Sequence, residues 1–200
     1  MACAPELPVG DGRLQMLPRW RAGLAAASVE ADIAGAVRSQ TRVLVTAATV
    51  EEAAAIGRLI HEHGRAGSAT LTVLDLASPA AHAHEGPGPQ ARRAILAVPS
   101  GATVLLRGLE TASASVQDLL WRSTSVLAPV HADDVAGRLA GCRLITVSAG
   151  DLHADVGAGR LREDLFYRLN VIHVRVPTPR VDADEPAHTL SPIPEAAPCC

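Results

Sequence analysis

The sequence predicts an α/β domain with a mainly parallel sheet, and three observations support this. Five short runs of apolar and β-branched residues alternate with segments of helical periodicity, and parallel strands require crossovers that are usually helical. The apolar runs are continuous, as expected of strands buried on both faces. With 200 residues, the chain is long enough for one domain around a single core.

The elements follow in order from these patterns. The first helix is predicted over residues 28–39 from an apolar stripe at every fourth position. A buried strand follows at 42–47, and then a helix that starts with a capping box in which Thr49 is the N-cap and Glu52 is at N3. The remaining predicted strands are 69–75, 102–107, 142–147 and 171–176, and the remaining helices lie near 113–122, 133–139 and 160–169.

Composition shifts at both ends predict the domain limits. Residues 1–24 contain three prolines and little periodicity, so we interpret them as a loose leader. The domain is predicted over 25–180, with a Pro-, Gly- and His-rich connector at 78–90. Residues 181–200 are rich in proline and predict a disordered tail.

The charge and cysteine content exclude several functional classes. Lysine is absent, so all 18 basic residues are arginine, and chemistry that needs a lysine amine is excluded. A net charge of -3 does not favour a nucleic-acid-binding surface, so we expect no direct DNA binding. The sequence has neither a membrane-length apolar run nor an export signal, which favours a cytoplasmic protein. The four cysteines lack the spacing of disulfides or zinc sites: Cys3, Cys142, Cys199 and Cys200.

The most specific motif occupies residues 159–177, G-R-L-R-E-D-L-F-Y-R-L-N-V-I-H-V-R-V-P. Leucines at every fourth position, beginning with Leu161, form the buried stripe of an amphipathic helix. The same helix would allow an ion pair between Asp164 and Arg168 at i and i+4. Three further segments accompany this motif: 43–61, 101–122 and 143–152.

Together these segments resemble the central AAA+ module of the bacterial enhancer-binding proteins that activate sigma-54 RNA polymerase. Residues 159–177 are similar to its signature G-R-F-R-E-D-L-Y-Y-R-L-N-V, and 43–61 to its Walker A strand, loop and helix. Residues 101–122 resemble the Walker B strand and the helix after it, and 143–152 the strand that carries the polar sensor. The resemblance implies a three-layer αβα, P-loop-like fold, a role in transcription regulation, and a family that uses ATP and magnesium.

The residues that the family uses on the nucleotide are replaced in this chain. The phosphate-loop glycines correspond to Ala47, Val50 and Glu52, the loop lysine to Ala53, the Walker B acids to Arg107 and Gly108, and the sensor asparagine to Ala149. Without a glycine-rich cradle, a lysine or a magnesium-binding acid, we expect no ATP, no metal and no ATPase activity.

One pair of the family's functional positions is retained. Arg162 and Arg168 correspond to the arginine fingers offered to a neighbouring subunit's nucleotide. The loop that contacts sigma-54, the helical lid and a C-terminal helix-turn-helix have no counterpart in the sequence. The resemblance therefore implies a pseudo-ATPase that acts by protein interaction, with a complete AAA+ activator subunit or sigma-54 polymerase components as partners and without a membrane.

Several alternatives stay open at this point. The chain could be an inactive remnant of a split activator, or an ATP-binding ATPase with atypical residues. Two histidine groups could bind a metal, although neither has a third ligand at a defined spacing: His61 with His63, and His82 with His84 and Glu85. A hydrolase triad of Ser148, Asp151 and His153 lacks a nucleophile elbow.

Overall fold

The structure is a computed structural model that describes residues 24–64, 67, 69–77, 87–125 and 135–177. Its helices are α1 (Leu24–Arg38), α2 (Val50–Glu62), α3 (Pro87–Leu96), α4 (Ala114–Ser123), α5 (Leu152–Gly157) and α6 (Glu163–Leu169), with a 3-10 helix at Leu109–Thr111. Its strands are β1 (Val43–Thr46), β2 (Leu71–Asp75), β3 (Thr103–Arg107), β4 (Arg143–Ser148) and β5 (Ile172–Arg175).

Some predictions fall outside the described residues. Three segments are among them: the leader except for its last residue, the Pro-rich tail, and the segment after β5 where a lid would begin. The others are single residues: His82, His84, Glu85, Cys3, Cys199 and Cys200.

The five strands form one parallel sheet in the order β2-β3-β4-β1-β5, which confirms the predicted fold class. Every residue of β4 is buried, as are the first four of β3 and the first three of β1. In register, Ile145 of β4 lies between Val43 of β1 and Leu105 of β3. The continuous apolar runs therefore mark the interior of the sheet, as parallel strands covered on both faces require.

Helices cover the sheet on both sides, so the domain has three layers. Helices α1 and α2 pack on one face through residues such as Ile33 and Ile56. Helices α3 to α6 cover the other face, with Leu120 and Leu165 fully buried there. Within the described ranges, no helix combines the length and the apolar character needed to cross a membrane.

The prediction of a helix at 133–139 is wrong for residues 135–139, which are the part of it that the structure describes. Residues 135–140 form successive turns, and Gly137 adopts a positive φ of 70° that ends any helical path. The amides of Gly137 and Leu139 donate instead to Arg122 O (3.0 Å) and Ser123 O (2.8 Å). Other amides of the segment bond within its own turns, so it caps the end of α4 without forming a helix.

Two other predictions need correction, one of a connector and one of a helix. The connector predicted at 78–90 was wrong in its last four residues, because α3 begins at Pro87, and proline is tolerated in a first helical turn. The helix predicted at 160–169 begins only at Glu163 and is preceded by α5, which the sequence did not predict. Asp151 starts α5 by accepting hydrogen bonds from the amides of His153 (3.0 Å) and Ala154 (3.3 Å).

The chain leaves β3 through a turn at Gly108 that admits only glycine. Its φ is 74°, in the left-handed region that side chains disfavour. A Cβ atom there would lie 2.6 Å from the Cβ of Ala77 and 2.7 Å from its amide nitrogen. The backbone conformation and the close packing therefore both require glycine at this position.

We predict that Gly108→Ala lowers the free energy of unfolding by about 2–4 kcal/mol, because left-handed strain adds to overpacking. The matched control is Gly101→Ala, at φ 73° with no atom within 4 Å, which should lose only about 1–2 kcal/mol from the strain. Urea unfolding of both variants tests this. Equal losses would contradict the packing at Ala77.

Candidate functional site

The positions that the resemblance assigns to nucleotide chemistry lie at the carboxyl edge of the central strands. Ala47 follows β1, and its amide donates to Ser148 O at the end of β4 (3.3 Å). Arg107 ends β3 in register with Val147 of β4, and Ala149 follows β4. These positions share one edge with the first turn of α2. Ligands of open parallel α/β sheets bind at this edge, so its chemistry decides what the site can hold.

Backbone amides in the first turn of α2 donate hydrogen bonds to the N-cap residue of the same helix. The Oγ1 of Thr49 accepts a hydrogen bond from the amide of Glu52 (3.1 Å), and the carbonyl of Thr49 accepts one from the amide of Ala53 (3.1 Å). The Ala53 side chain is fully buried, and Val50 packs against the core beneath α2. A phosphate cradle needs open N–H groups and a cationic side chain, and this turn provides a helix cap instead.

An arginine occupies the end of β3, where magnesium chemistry would need an acid. The guanidinium of Arg107 lies 3.3 Å from Glu51 Oε1, on the first turn of α2. Its Nε is 3.9 Å from Asp75 Oδ2 at the end of β2, too long for a hydrogen bond. The Arg107 side chain is 27% exposed and that of Glu51 77%, so this bridge adds little stability. Its importance is that it places a cation between carboxylates at this edge.

The structure adds a carboxylate that the sequence analysis missed. Ser148 Oγ donates to Glu110 Oε2 (3.3 Å) and accepts from the amide of Gly150 (3.0 Å). Glu110 therefore reaches the end of β4 from the 3-10 helix that follows Gly108. An acid just after a predicted strand was the available signal. Ala149, exposed beside it, contributes no polar group.

A cavity of about 540 Å³ opens on the α5 and α6 side of the same edge. Its apolar wall includes Leu44 and Phe166, and only Ala47 and Ala149 of the replaced nucleotide positions line it. The ring of His173 also lines it, and the sequence analysis did not identify this residue. The cavity therefore lies mainly beyond the phosphate-loop positions.

The imidazole of His173 lies in this cavity beside Thr46. Its Nε2 is 3.0 Å from Thr46 Oγ1. Burial lowers the pKa of His173 and the charge of Arg175 lowers it further, against opposing effects of Asp151 and Asp32. His153 and Tyr167 line the same cavity.

The two retained arginines converge on one aromatic ring. The guanidinium carbons of Arg162 and Arg168 lie 5.3 and 5.0 Å from the centre of the Trp121 ring, within the range of cation–π attraction. Arg162 also bonds to Asp118 (3.2 Å), while Arg168 donates to Trp121 O (3.1 Å). Helix α6 is thereby fastened to α4 through both arginines.

The ion pair predicted between Asp164 and Arg168 is wrong. Asp164 accepts two hydrogen bonds from Arg162, at 3.0 and 2.7 Å, because the latter precedes α6 and turns back over its first turn. The hydrogen bond to Asp164 raises the pKa of Arg162, and the same bond lowers the pKa of the Asp164 carboxyl.

The remaining candidate sites do not assemble. Ser148 faces Glu110, Asp151 caps α5, and the ring of His153 stacks on Phe166 at 6.0 Å, so the triad has no shared geometry. Across the described stretches, no cluster of three potential metal ligands occurs, and this includes the surroundings of His61.

Comparison with known proteins gives short but specific matches in sequence. The chain is 60% identical to the response regulator protein PilR of Pseudomonas aeruginosa over 35 residues, 18% of this chain and 8% of PilR. It is 55% identical to the transcriptional regulatory protein ZraR of Escherichia coli K12 over 38 residues, 19% of this chain and 9% of ZraR. The matches thus span less than a tenth of these regulators.

Comparison of folds extends the similarity across the domain. NtrX from Brucella abortus, solved in complex with ATP, has a TM-score of 0.57 at 20% identity, covering 78% of this chain and 36% of NtrX. The sigma-54 interaction domain family matches residues 24–175, well over half of the chain. This match shows that the chain belongs to the sigma-54 interaction domain family, and the parallel sheet and the signature at α6 agree with it.

Proposed function

We propose that this chain is a pseudo-ATPase of sigma-54-dependent transcription that acts by binding another protein. The observation that carries the proposal is the pair of Arg107 and Glu51 across the edge where nucleotide would sit. The cation stands where the family has its magnesium-binding acid, and the carboxylate stands on the phosphate loop. The charges of a nucleotide site are therefore reversed.

The electrostatics of this edge oppose ATP. Two carboxylates lie beside the Arg107 guanidinium, Glu51 on the first turn of α2 and Asp75 at the end of β2, and Glu52 adds a second acid to that turn. Acids at a helix N-terminus satisfy its positive end, which in a phosphate loop would attract the anion. The bridges to Glu51 and Asp75 already neutralise Arg107, so a polyphosphate gains no free cation there.

Magnesium does not fit the residues present either. The ion takes oxygen ligands in a tight octahedron, whereas the ends of β3 and β4 present Arg107, Gly108 and Ala149. Glu110 also reaches the end of β4, but its carboxylate accepts a hydrogen bond from Ser148. Neither ATP nor magnesium is therefore part of the proposed function, and no catalytic step is assigned to this chain.

A protein-binding role accounts best for what the chain keeps. The three-layer core is intact, and the face of α6 with Arg162 and Arg168 is ordered against α4. We infer that the partner is a complete AAA+ activator subunit of a bacterial cytoplasm, with sigma-54 polymerase components reached through that assembly and without direct contact to DNA. The second candidate is an inactive remnant of a split activator, which would keep the core but bind no partner.

We predict that the chain as sole activator produces no open complex with sigma-54 polymerase, because it has no residues to hydrolyse ATP. The assay is a purified transcription reaction with ATP, in which a complete activator is the positive control. Any ATP-dependent transcript made with this chain alone would refute the pseudo-ATPase.

We further predict that the chain rescues a diluted activator. At concentrations too low for the activator to assemble, added chain should raise ATP hydrolysis per activator subunit by roughly tenfold or more, since an arginine supplied across an interface stabilises the transferring phosphoryl group. Co-elution of the two proteins is expected in gel filtration.

An unrelated protein at the same concentration controls for crowding in this assay. No co-elution together with an unchanged hydrolysis rate would favour the remnant over the interaction module.

A further inference from the structure

The cavity on the α5 and α6 side of the sheet has a floor built from two neighbouring strands. Leu44 and Thr46 of β1 lie in register with His173 and Arg175 of β5. Residues two apart on a strand point to the same face of a sheet, and all four of these residues line the cavity. Its volume of about 540 Å³ is in the range of sites that hold small molecules.

Aromatic side chains from α5 and α6 form one wall of this cavity. The ring of His153 stacks parallel to that of Phe166 at 6.0 Å, and Tyr167 meets Phe166 edge to face at 5.3 Å. All three rings line the cavity. A flat ring is the partner that suits such a wall, because aromatic faces and edges pack closely on one another.

The polar groups that remain open to a ligand favour an anion. Thr46 and His173 already contact each other, with 3.0 Å between Oγ1 and Nε2. The exposed Arg175 guanidinium and the half-buried side-chain amide of Asn170 make no hydrogen bond or salt bridge within the described ranges. Asp151 is the one acid among the described lining residues, and its Oδ1 accepts from two amides at the start of α5.

The number of cations limits the charge that such an anion can carry. Arg175 is the one arginine among the described lining residues, and the floor beside it is apolar at Leu44. A polyphosphate would bring several negative charges to one guanidinium. A carboxylate brings a single charge, and its two oxygens match the paired donors of a guanidinium.

We propose that this cavity binds a small organic carboxylate with a flat aromatic body. Arg175 pairs with the carboxylate, and the amide of Asn170 offers a further donor to the same ligand. The ring of the ligand lies over Leu44 and against the cluster centred on Phe166. The site is independent of the proposed function, because none of its binding groups belongs to the phosphate loop or to the Walker B positions.

Calorimetric titration of the full chain with sodium 2-naphthoate, beside its neutral analogue 2-naphthamide, tests the assignment. Naphthoate should bind with a dissociation constant of about 1 mM or tighter, and naphthamide roughly tenfold more weakly, because it forms no charge-assisted pair. The ring signals of His153 and His173 in NMR should shift and saturate with naphthoate. No saturable binding of naphthoate, or equal affinity for the two compounds, would overturn the proposal.

Substitutions at the mouth of the cavity provide the second measurement. Arg175→Gln should weaken naphthoate binding by roughly tenfold or more and change naphthamide binding by less than about twofold, so the two compounds become equivalent. Arg175→Lys keeps the charge and should retain part of the affinity.

The matched control is Arg58→Gln, which removes an exposed arginine from α2 on the opposite face of the sheet. It should leave both affinities within about twofold of the wild type, since a distant exposed charge is screened. Equal losses of naphthoate binding in Arg58→Gln and Arg175→Gln would show attraction to net charge alone and would contradict the site.

Competition with Mg·ATP in the same calorimeter separates this proposal from the proposed function. Naphthoate binding without any binding of Mg·ATP supports both. Mg·ATP that binds without displacing naphthoate would overturn the pseudo-ATPase alone, and Mg·ATP that binds and displaces it would overturn both. Absence of binding by either compound would overturn the carboxylate site alone.

Discussion

The buried ladder of β3, β4 and β1 determines where every candidate residue lies. Because these strands are parallel and in register, their carboxyl ends meet at one edge, and Ala47, Arg107 and Ala149 follow from that alignment. Apolar side chains on both faces hold the ladder, so its interior tolerates little change. The edge carries less of this constraint at Arg107 and Ala149, because Arg107 is partly exposed and Ala149 is exposed, whereas Ala47 is buried. A sheet can thus keep its geometry while the chemistry at its edge changes.

Under the proposed function, contacts within the chain take the place of an anion site at this edge. Thr49 caps α2, Arg107 pairs with Glu51, and Gly108 turns the chain away from β3 against Ala77. Under that proposal, each of these contacts occupies a position that the family uses on the nucleotide.

The sequence was sufficient for the sheet because buried parallel strands give continuous apolar runs, and the cap at Thr49 followed from its spacing to Glu52. It was insufficient where an element depends on tertiary contacts. Residues 135–140 bond to the end of α4, and α5 relies on the Asp151 cap with few apolar residues. The pairing of Arg162 with Asp164 and Asp118 needed three-dimensional geometry, since helical spacing favoured Arg168 as the partner.

The central claim is that the edge formed by Ala47, Arg107 and Ala149 no longer holds a nucleotide. Isothermal titration calorimetry of the full chain with Mg·ATP and Mg·ADP tests it most directly, with a complete activator domain measured alongside as a positive control. The account predicts no saturable binding at physiological nucleotide concentrations. A dissociation constant in the micromolar range or tighter would contradict it.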